Sequence, residues 1–424
     1  MKDRGWLASF LLLRTIFLLP TANSLSATDL KSRRSSSLSP IPSFEGVGVT
    51  SIAVLKHERN DMVQAFVGTK RGKLKKVSFS LGDESKAQVL DITQSDENTK
   101  EYRLKPYPIY SMQIIPNEKE SDDFTIMCGG GDRFVTVWSR VQTQSSDGSS
   151  SSGFPDFQVI SQLGAHTGWV KSMAYFIARN SENEDEMVQY LCSIGCNCIE
   201  IWRNSEGEWL HEKKLKIDSS IDMGCTLSSD LLCLGVTNTL STSYCDRFLF
   251  AGGVDGRLHR WKISSGHIDN ECVEAVACHE GRVNAVAICD IFDTVLSVGS
   301  DGCIRCLDGR NKKHSNFDEW ESYLFDMKDF KEYSEKVTKL TAICILTESK
   351  DHATFAVGNS EGSVRIVELS RREGCISTKL LDTCAEVGKD QSIFSIECVE
   401  INDSGEYLLL IGESNGFHTW RLKL

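Results

Sequence analysis

The 424-residue chain lacks the short motifs that announce most catalytic chemistries. It has no Walker loop, no HExxH, no GxSxG and no GxGxxG leading into a helix, so phosphate cradles, zinc-peptidase sites and nucleophile elbows have no signature in it. Gly129-Gly130-Gly131 is no substitute, because a β-type run follows it rather than a helix N-terminus that could receive a phosphate. Cysteine is missing before Cys128 and then occurs sixteen times, mostly within strand-like runs. In a chain this long that is not a small disulfide scaffold. Cys303 and Cys306 have CxxC spacing, and Cys192, Cys196 and Cys198 gather at one hairpin, which raises a zinc or redox site. Alternation along a strand sends Cys303 and Cys306 to opposite faces, and no second pair stands at zinc-finger spacing. Cysteine used as a small buried apolar residue is the favoured reading, and no metal or other cofactor is expected. Positive charge is also short. The net charge is −12, and residues 1–45 hold six basic against three acidic residues, so the remainder carries −15. Such an acidic body argues against broad phosphate-backbone binding, and no nucleic-acid partner is expected. No apolar run is long enough to span a membrane: the strongest, residues 6–19, is interrupted by Arg14.

What the sequence does have is repetition. The stretch DRFLFAGGVDGRLHRWKI, residues 246–263, reads as two short strands joined at Val254-Asp255-Gly256. Asp-Gly between alternating apolar runs is a strong hairpin signal, because glycine reaches positive φ without steric cost. Similar hairpins occupy residues 65–79, 125–139, 190–203, 294–308, 354–368 and 407–421. The position of Trp261 is filled in chain order by Val77, Trp138, Trp202, Trp261, Leu307, Val367 and Trp420, at intervals of 61, 64, 59, 46, 60 and 53 residues. Six residues before each stands a turn residue: Arg71, Asp132, Cys196, Asp255, Asp301, Glu361 and Ser414. Most hairpins follow a further small-residue run, such as residues 51–55, 170–176 or 283–289, and two of these runs open on a His-containing turn, at His166 and His279. One more strand per unit makes a four-stranded sheet.

These residues resemble the WD-repeat β-propeller family over roughly residues 46–424. The pattern is a Gly-His-type turn, a small-residue strand, an Asp-containing turn and a strand ending near Trp-Asp. Trp-Asp itself is never spelled out, and the intervals exceed the usual 40–45 residues, so loops carry insertions. The resemblance implies an all-β fold: a seven-bladed β-propeller of four-stranded antiparallel blades at residues 44–424. It also implies a hydrogen-bonded set within blades, with His166, Ser193 and Trp202 the best preserved, Cys196 standing where Asp is expected. His279, Ser297 and Asp301 form a second set, with Leu307 in place of Trp, and Asp255 and Trp261 belong to the central blade. These histidines are then structural rather than catalytic.

Before the repeats, residues 1–24 have a signal-peptide-like layout, with Lys2 and Arg4 ahead of the apolar run and Ala22 and Ser24 fitting a cleavage site. Residues 25–43 form a Ser/Arg/Pro-rich linker, and the two together resemble the bipartite leaders of plastid proteins in algae with secondary plastids. Location is therefore open between the cytoplasm or nucleus that the family resemblance implies and a secretory or plastid route. The last hairpin ends three residues before the C-terminus, so the seventh blade needs its outer strand from elsewhere, and residues 37–45 are the segment available. Residues 316–333 follow helical spacing, as a docking helix with Trp320 on it would, or supply the fifth blade's outer strand, which is favoured.

The function implied is a non-catalytic scaffold or adaptor, a monomer within a larger complex, that binds partner proteins or peptides through rim loops. Position alone nominates His57, Lys105, Tyr107, Trp169, Arg282 and Lys339 on one rim. Two alternatives stand beside it. Leu307-Asp308-Gly309-Arg310 is similar to the Asp-x-Arg signature of WD-repeat substrate receptors in cullin-RING ubiquitin ligases, with Arg310 as the contact residue. An enzyme on a propeller would instead gather ionisable groups at the channel mouth.

Overall fold

A strand such as Met187–Gly195, apolar on both sides of its alternation, needs cover on both faces. In the computed structural model such strands sit in sheets stacked face to face. The structure describes residues 37–424 apart from residues 57–61, 82, 95–105, 118–122, 141–156, 165, 180–185, 218–229, 238–246, 265–266, 271, 273, 309–321, 327–337, 373–374, 385–386, 388–390 and 403–404.

Seven antiparallel sheets, or blades, are formed among the described residues. Blade one is Val49–Lys56, Met62–Thr69, Leu74–Ser80 and Asp83–Asp91; blade two is Ile109–Pro116, Phe124–Gly130, Val135–Arg140 and Phe157–Leu163. Blade three is Val170–Arg179, Met187–Gly195, Cys198–Ser205 and Glu208–Lys216. Blade four is Leu231–Val236, Arg247–Gly253 and Arg257–Ser264, with an outer strand in two pieces, His267–Ile268 and Glu274–Ala277. Blade five is Val283–Cys289, Thr294–Gly299, Cys303–Asp308 and Ser322–Asp326. Blade six is Leu340–Glu348, His352–Asn359, Val364–Arg372 and Cys375–Cys384. Blade seven is Ile393–Asn402, Glu406–Glu413 and Gly416–Lys423, completed by Ser37–Pro40 from the other end of the chain. The first strand of each blade packs on the first strand of the next, and Ile393–Asn402 packs on Val49–Lys56, so the ring closes.

The core is divided accordingly. Each large apolar cluster lies between two neighbouring blades. Successive residues of Met187–Gly195 feed different layers: Leu191 packs towards blade two, while Tyr190 and Cys192 pack towards blade four. The repeating Trp/Leu/Val position always faces the preceding blade. Trp202 shares a cluster with blade two, Trp261 with blade three and Trp420 with blade six. That one positional rule is why the repeat is visible in the sequence at all.

Closure uses the segment anticipated for it. Ser37–Pro40 runs antiparallel to the last strand, with Leu38 opposite Trp420 and Pro40 opposite His418. It is an edge strand, where a proline's missing N–H is tolerated. The chain then crosses to blade one: Ile41 N–H donates to Phe417 O at 2.9 Å, and the fully buried Phe44 meets the Phe417 ring edge-on at 5.3 Å.

Leu231–Val236 is the innermost strand of blade four, and Asp83–Asp91 is the outer strand of blade one. Within 316–333, Ser322–Asp326 pairs with the third strand of blade five, in line with the strand reading; Trp320 lies outside the described residues. Cys303 and Cys306 are both buried. No described helix is long and apolar enough to cross a membrane.

Replacing Phe44 by Ala empties the seam between the two ends of the ring. A loss of about 3–5 kcal/mol is expected by chemical denaturation; a loss under ~1 kcal/mol would mean the seam does not hold the ring.

Candidate functional site

Every innermost strand loses register directly after its first residue. One extra residue on the inner strand is inserted against its neighbour, a β-bulge, which turns a side chain out of the regular alternation. The first residue of a blade seats on a glycine of the preceding blade: Ile109 on Gly68, Val170 on Gly129, Val283 on Gly252, Ile393 on Gly358 and Val49 on Gly412. A Cβ on Gly252, Gly358 or Gly412 would come within 2.5 Å of the residue seated there. Blades three and five have Ile194 and Val298 at the corresponding register position. There the next blades open with Leu231 and Leu340, which share the cores of Ile194 and Val298.

The bulges put Thr50, Tyr110, Lys171 with Ser172, Leu232, Asn284, Thr341 and Phe394 around one end of the ring. This end is the opening rim, where the inner strands begin. Thr50 Oγ1 donates to Ile109 O at 2.5 Å and Asn284 Nδ2 to Leu340 O at 2.6 Å, each stitching its blade to the next. Thr341 Oγ1 donates to Gly358 O within its own blade. Tyr110, Lys171 and Phe394 do something else. The Tyr110 and Trp169 rings stack at 5.7 Å and 23°, and Lys171 Nζ lies 3.8 Å from the first ring's centre and 4.6 Å from the second. Lys70 Nζ stands 4.8 Å over Phe394. Such cation–ring pairs contribute about 0.5–2 kcal/mol, more as water is excluded.

A shallow groove of about 190 Å³ runs beside this stack between Tyr107 and Trp169, with Asp132, Arg133, Phe134 and Gln162 completing its wall. Trp169 is 50% exposed, Tyr107 43% and Phe394 38%, values far from those of buried aromatic residues, so these rings meet solvent on one rim. Burial, and then the like charge of Arg282, hold the Lys171 ammonium below its ordinary pKa, and burial raises the Tyr110 hydroxyl. Burial also raises the Asp132 carboxyl, against the hydrogen bond it accepts from Phe134 N–H.

Of the rim residues nominated by position, Tyr107 and Trp169 flank one groove, Arg282 is exposed with its charge reaching Lys171, and Lys339 is exposed. His57, Lys105 and Arg310 lie outside the described residues. Position in the repeat did not single out Tyr110, Lys171 and Phe394, because an inserted residue is invisible in a strand's alternation.

The intra-blade sets are placed as follows. Trp202 Nε1–H donates to Ser193 Oγ at 2.9 Å, and Ser193 Oγ lies 2.8 Å from His166 Nε2. His166 Nδ1 is 3.2 Å from Arg133 O, which fixes the tautomer as Nδ1–H. Arg133 has φ +71°, a left-handed turn that aims its carbonyl at both the ring and the backbone N–H of His166 while its side chain lines the groove. In blade five His279 Nδ1 meets Asp301 at 2.9 Å and Nε2 meets Ser297 Oγ at 2.9 Å. Blade four departs from the family pattern. Ala251 stands where Ser193 and Ser297 stand, Asp255 pairs with His259 of its own third strand at 3.6 Å, and Trp261 Nε1 is buried without a hydrogen-bond partner. Both ring nitrogens of His166 and of His279 are thus engaged in holding turns.

No family model matches the sequence, and no curated protein matches it. Among solved structures the chain is similar to the WD40 repeats of RRP9, at 14% identity and TM-score 0.54, covering 89% of this chain and 100% of that one. A likeness at that identity establishes the fold, a WD40-type propeller.

Burial alone would raise the Asp301 carboxyl, but the His279 hydrogen bond and charge, with the N–H groups of Cys303 and Glu280, hold it below its ordinary value. A depressed carboxyl adds stability above its unfolded pKa, near 4, and loses it as pH falls through the lower folded value. Asp301→Asn is expected to cost about 1.5–3 kcal/mol at pH 7 and to flatten the fall in stability below pH ~4, read from urea midpoints at several pH values. An unchanged acid slope would contradict this role.

Proposed function

We propose that this WD40-type propeller is a non-catalytic binding platform, an adaptor that holds a partner protein on its opening rim. The observation that carries the reading is the exposed Trp169–Tyr110 stack under Lys171, beside the groove lined by Tyr107. Rigid aromatic side chains on a fixed scaffold lose little entropy on binding, and Trp, Tyr and Arg dominate interface energetics. The seven inter-blade layers supply the rigidity, so the rim residues keep their spacing with no partner bound. Trp169 precedes Val170 and Tyr107 precedes Ile109, positions that can vary without touching the core.

The described histidines at opening turns are held at both ring nitrogens by turn and strand groups, an arrangement suited to architecture rather than to proton transfer. The charge of the body supports protein rather than nucleic acid as the partner class.

Affinity capture with the tagged full chain tests the reading. Trp169→Ala is expected to weaken partner capture by roughly 30-fold, the effect of losing about 2 kcal/mol at a hot spot, while the thermal midpoint stays within about 2 °C because the ring is half exposed. Equal capture by the variant would place the interface elsewhere.

A further inference from the structure

Cys344 and Cys398 stand on the innermost strands of blades six and seven, two strands that pack directly on each other. Unlike the fully buried Cys192 and Cys306, both are only partly buried, and both lie against the same apolar layer between the blades. Their thiols converge on one acceptor. Cys344 Sγ lies 3.6 Å from Ile345 O, and Cys398 Sγ lies 3.4 Å from the same oxygen. The Cys344 sulfur also hydrogen-bonds with the Cys398 thiol and accepts from the Cys398 backbone N–H. Sulfurs that touch, carried by strands that pack on each other, meet the first requirement for a disulfide, which needs nearby backbones and Cβ vectors that do not diverge. Among the described residues no group of three or more His, Cys, Asp or Glu side chains is placed to hold a metal ion, so the pair belongs to no metal set there.

We propose that Cys344 and Cys398 are a site of covalent modification, an inter-blade disulfide that joins blade six to blade seven when the protein meets a low-molecular-weight disulfide of the glutathione class. One protein thiolate attacks a sulfur of the glutathione disulfide. That S–S bond breaks, a mixed disulfide forms, and one glutathione leaves and takes up the proton the protein thiol gave up. The second protein thiol then displaces the remaining glutathione in the same way. The two protein sulfurs are oxidised by two electrons in all, and one glutathione disulfide is reduced to two thiols. The redox poise of the surroundings sets which state is populated: a reducing cytosol keeps the thiols and an oxidising compartment makes the bond. The cross-link closes the chain from residue 344 to residue 398, a loop that holds the other three strands of blade six. Tying off a loop that long limits the unfolded chain more than the folded one. Blade seven is also the blade completed by Ser37–Pro40, so the bond braces the ring one junction away from its closure.

Peptide mapping of the unsubstituted full chain tests the site. The folded, reduced protein is equilibrated with oxidised glutathione, its remaining thiols are alkylated, and it is digested with trypsin without reductant. Cleavage at Lys339, Lys350, Lys389 and Arg421 puts Cys344 alone in peptide 340–350 and Cys398 alone in peptide 390–421. The expected product is one species joining these two peptides, lighter than their sum by two hydrogens and split by reductant. The oxidised protein should melt about 2–5 °C above the reduced one, and that difference should disappear in Cys398→Ala. Two separately alkylated peptides, or two that each carry glutathione, would overturn the proposal. So would a linked species that forms only after the chain is denatured. A rise in melting temperature that survives in Cys398→Ala would assign the stabilisation to other cysteines and overturn the bracing role.

Discussion

Apolar side chains in this protein are buried between blades and hardly within them, and everything else in the molecule follows from that. A four-stranded sheet with both faces apolar is unstable alone, so each blade requires two neighbours. Only a closed ring gives every blade two. Burying large aliphatic or aromatic side chains stabilises by roughly 1.5–3 kcal/mol each, and seven layers repeat that gain around the circle. Closure then rests on a short edge strand, Ser37–Pro40, and on Phe44 beneath the first blade.

The same packing shapes the opening rim. Seating Val49, Ile109, Val170, Val283 and Ile393 on glycines draws neighbouring blades close together at the opening rim. The residue after each stands out of register at that rim. At Thr50 and Asn284 the displaced side chain ties adjacent blades together. At Tyr110, Lys171 and Phe394 it joins Trp169 and Lys70 in cation–ring contacts. Inter-blade ties and exposed cation–ring contacts thus use one structural device, and differ in which side chain occupies the extra position.

Much of the fold was legible because the Trp261 position faces the preceding blade in every repeat and a turn residue stands six residues earlier. Blade four's first strand was harder to see. Leu231-Leu232-Cys233-Leu234 has no opening histidine before it and reads like any packed loop. Trp169 and Tyr107 could be nominated because they precede inner strands, while Lys171 and Tyr110 sat inside strands whose bulges leave no mark on the alternation. The hydrogen-bond sets were legible where Ser193 and Ser297 supply a hydroxyl, and not in blade four, where Ala251 cannot and Asp255 turns to His259.

The glycine seat at the ring's own junction offers the most direct measurement. A double-mutant cycle of Gly412→Ala and Val49→Ala, followed by chemical denaturation, compares an added methyl with the removal of the side chain it would strike. If the seat sets the spacing of the blades, the double variant is less destabilised than the sum of the singles by about 1 kcal/mol or more. Additivity of the two effects would show that the blades meet for some other reason.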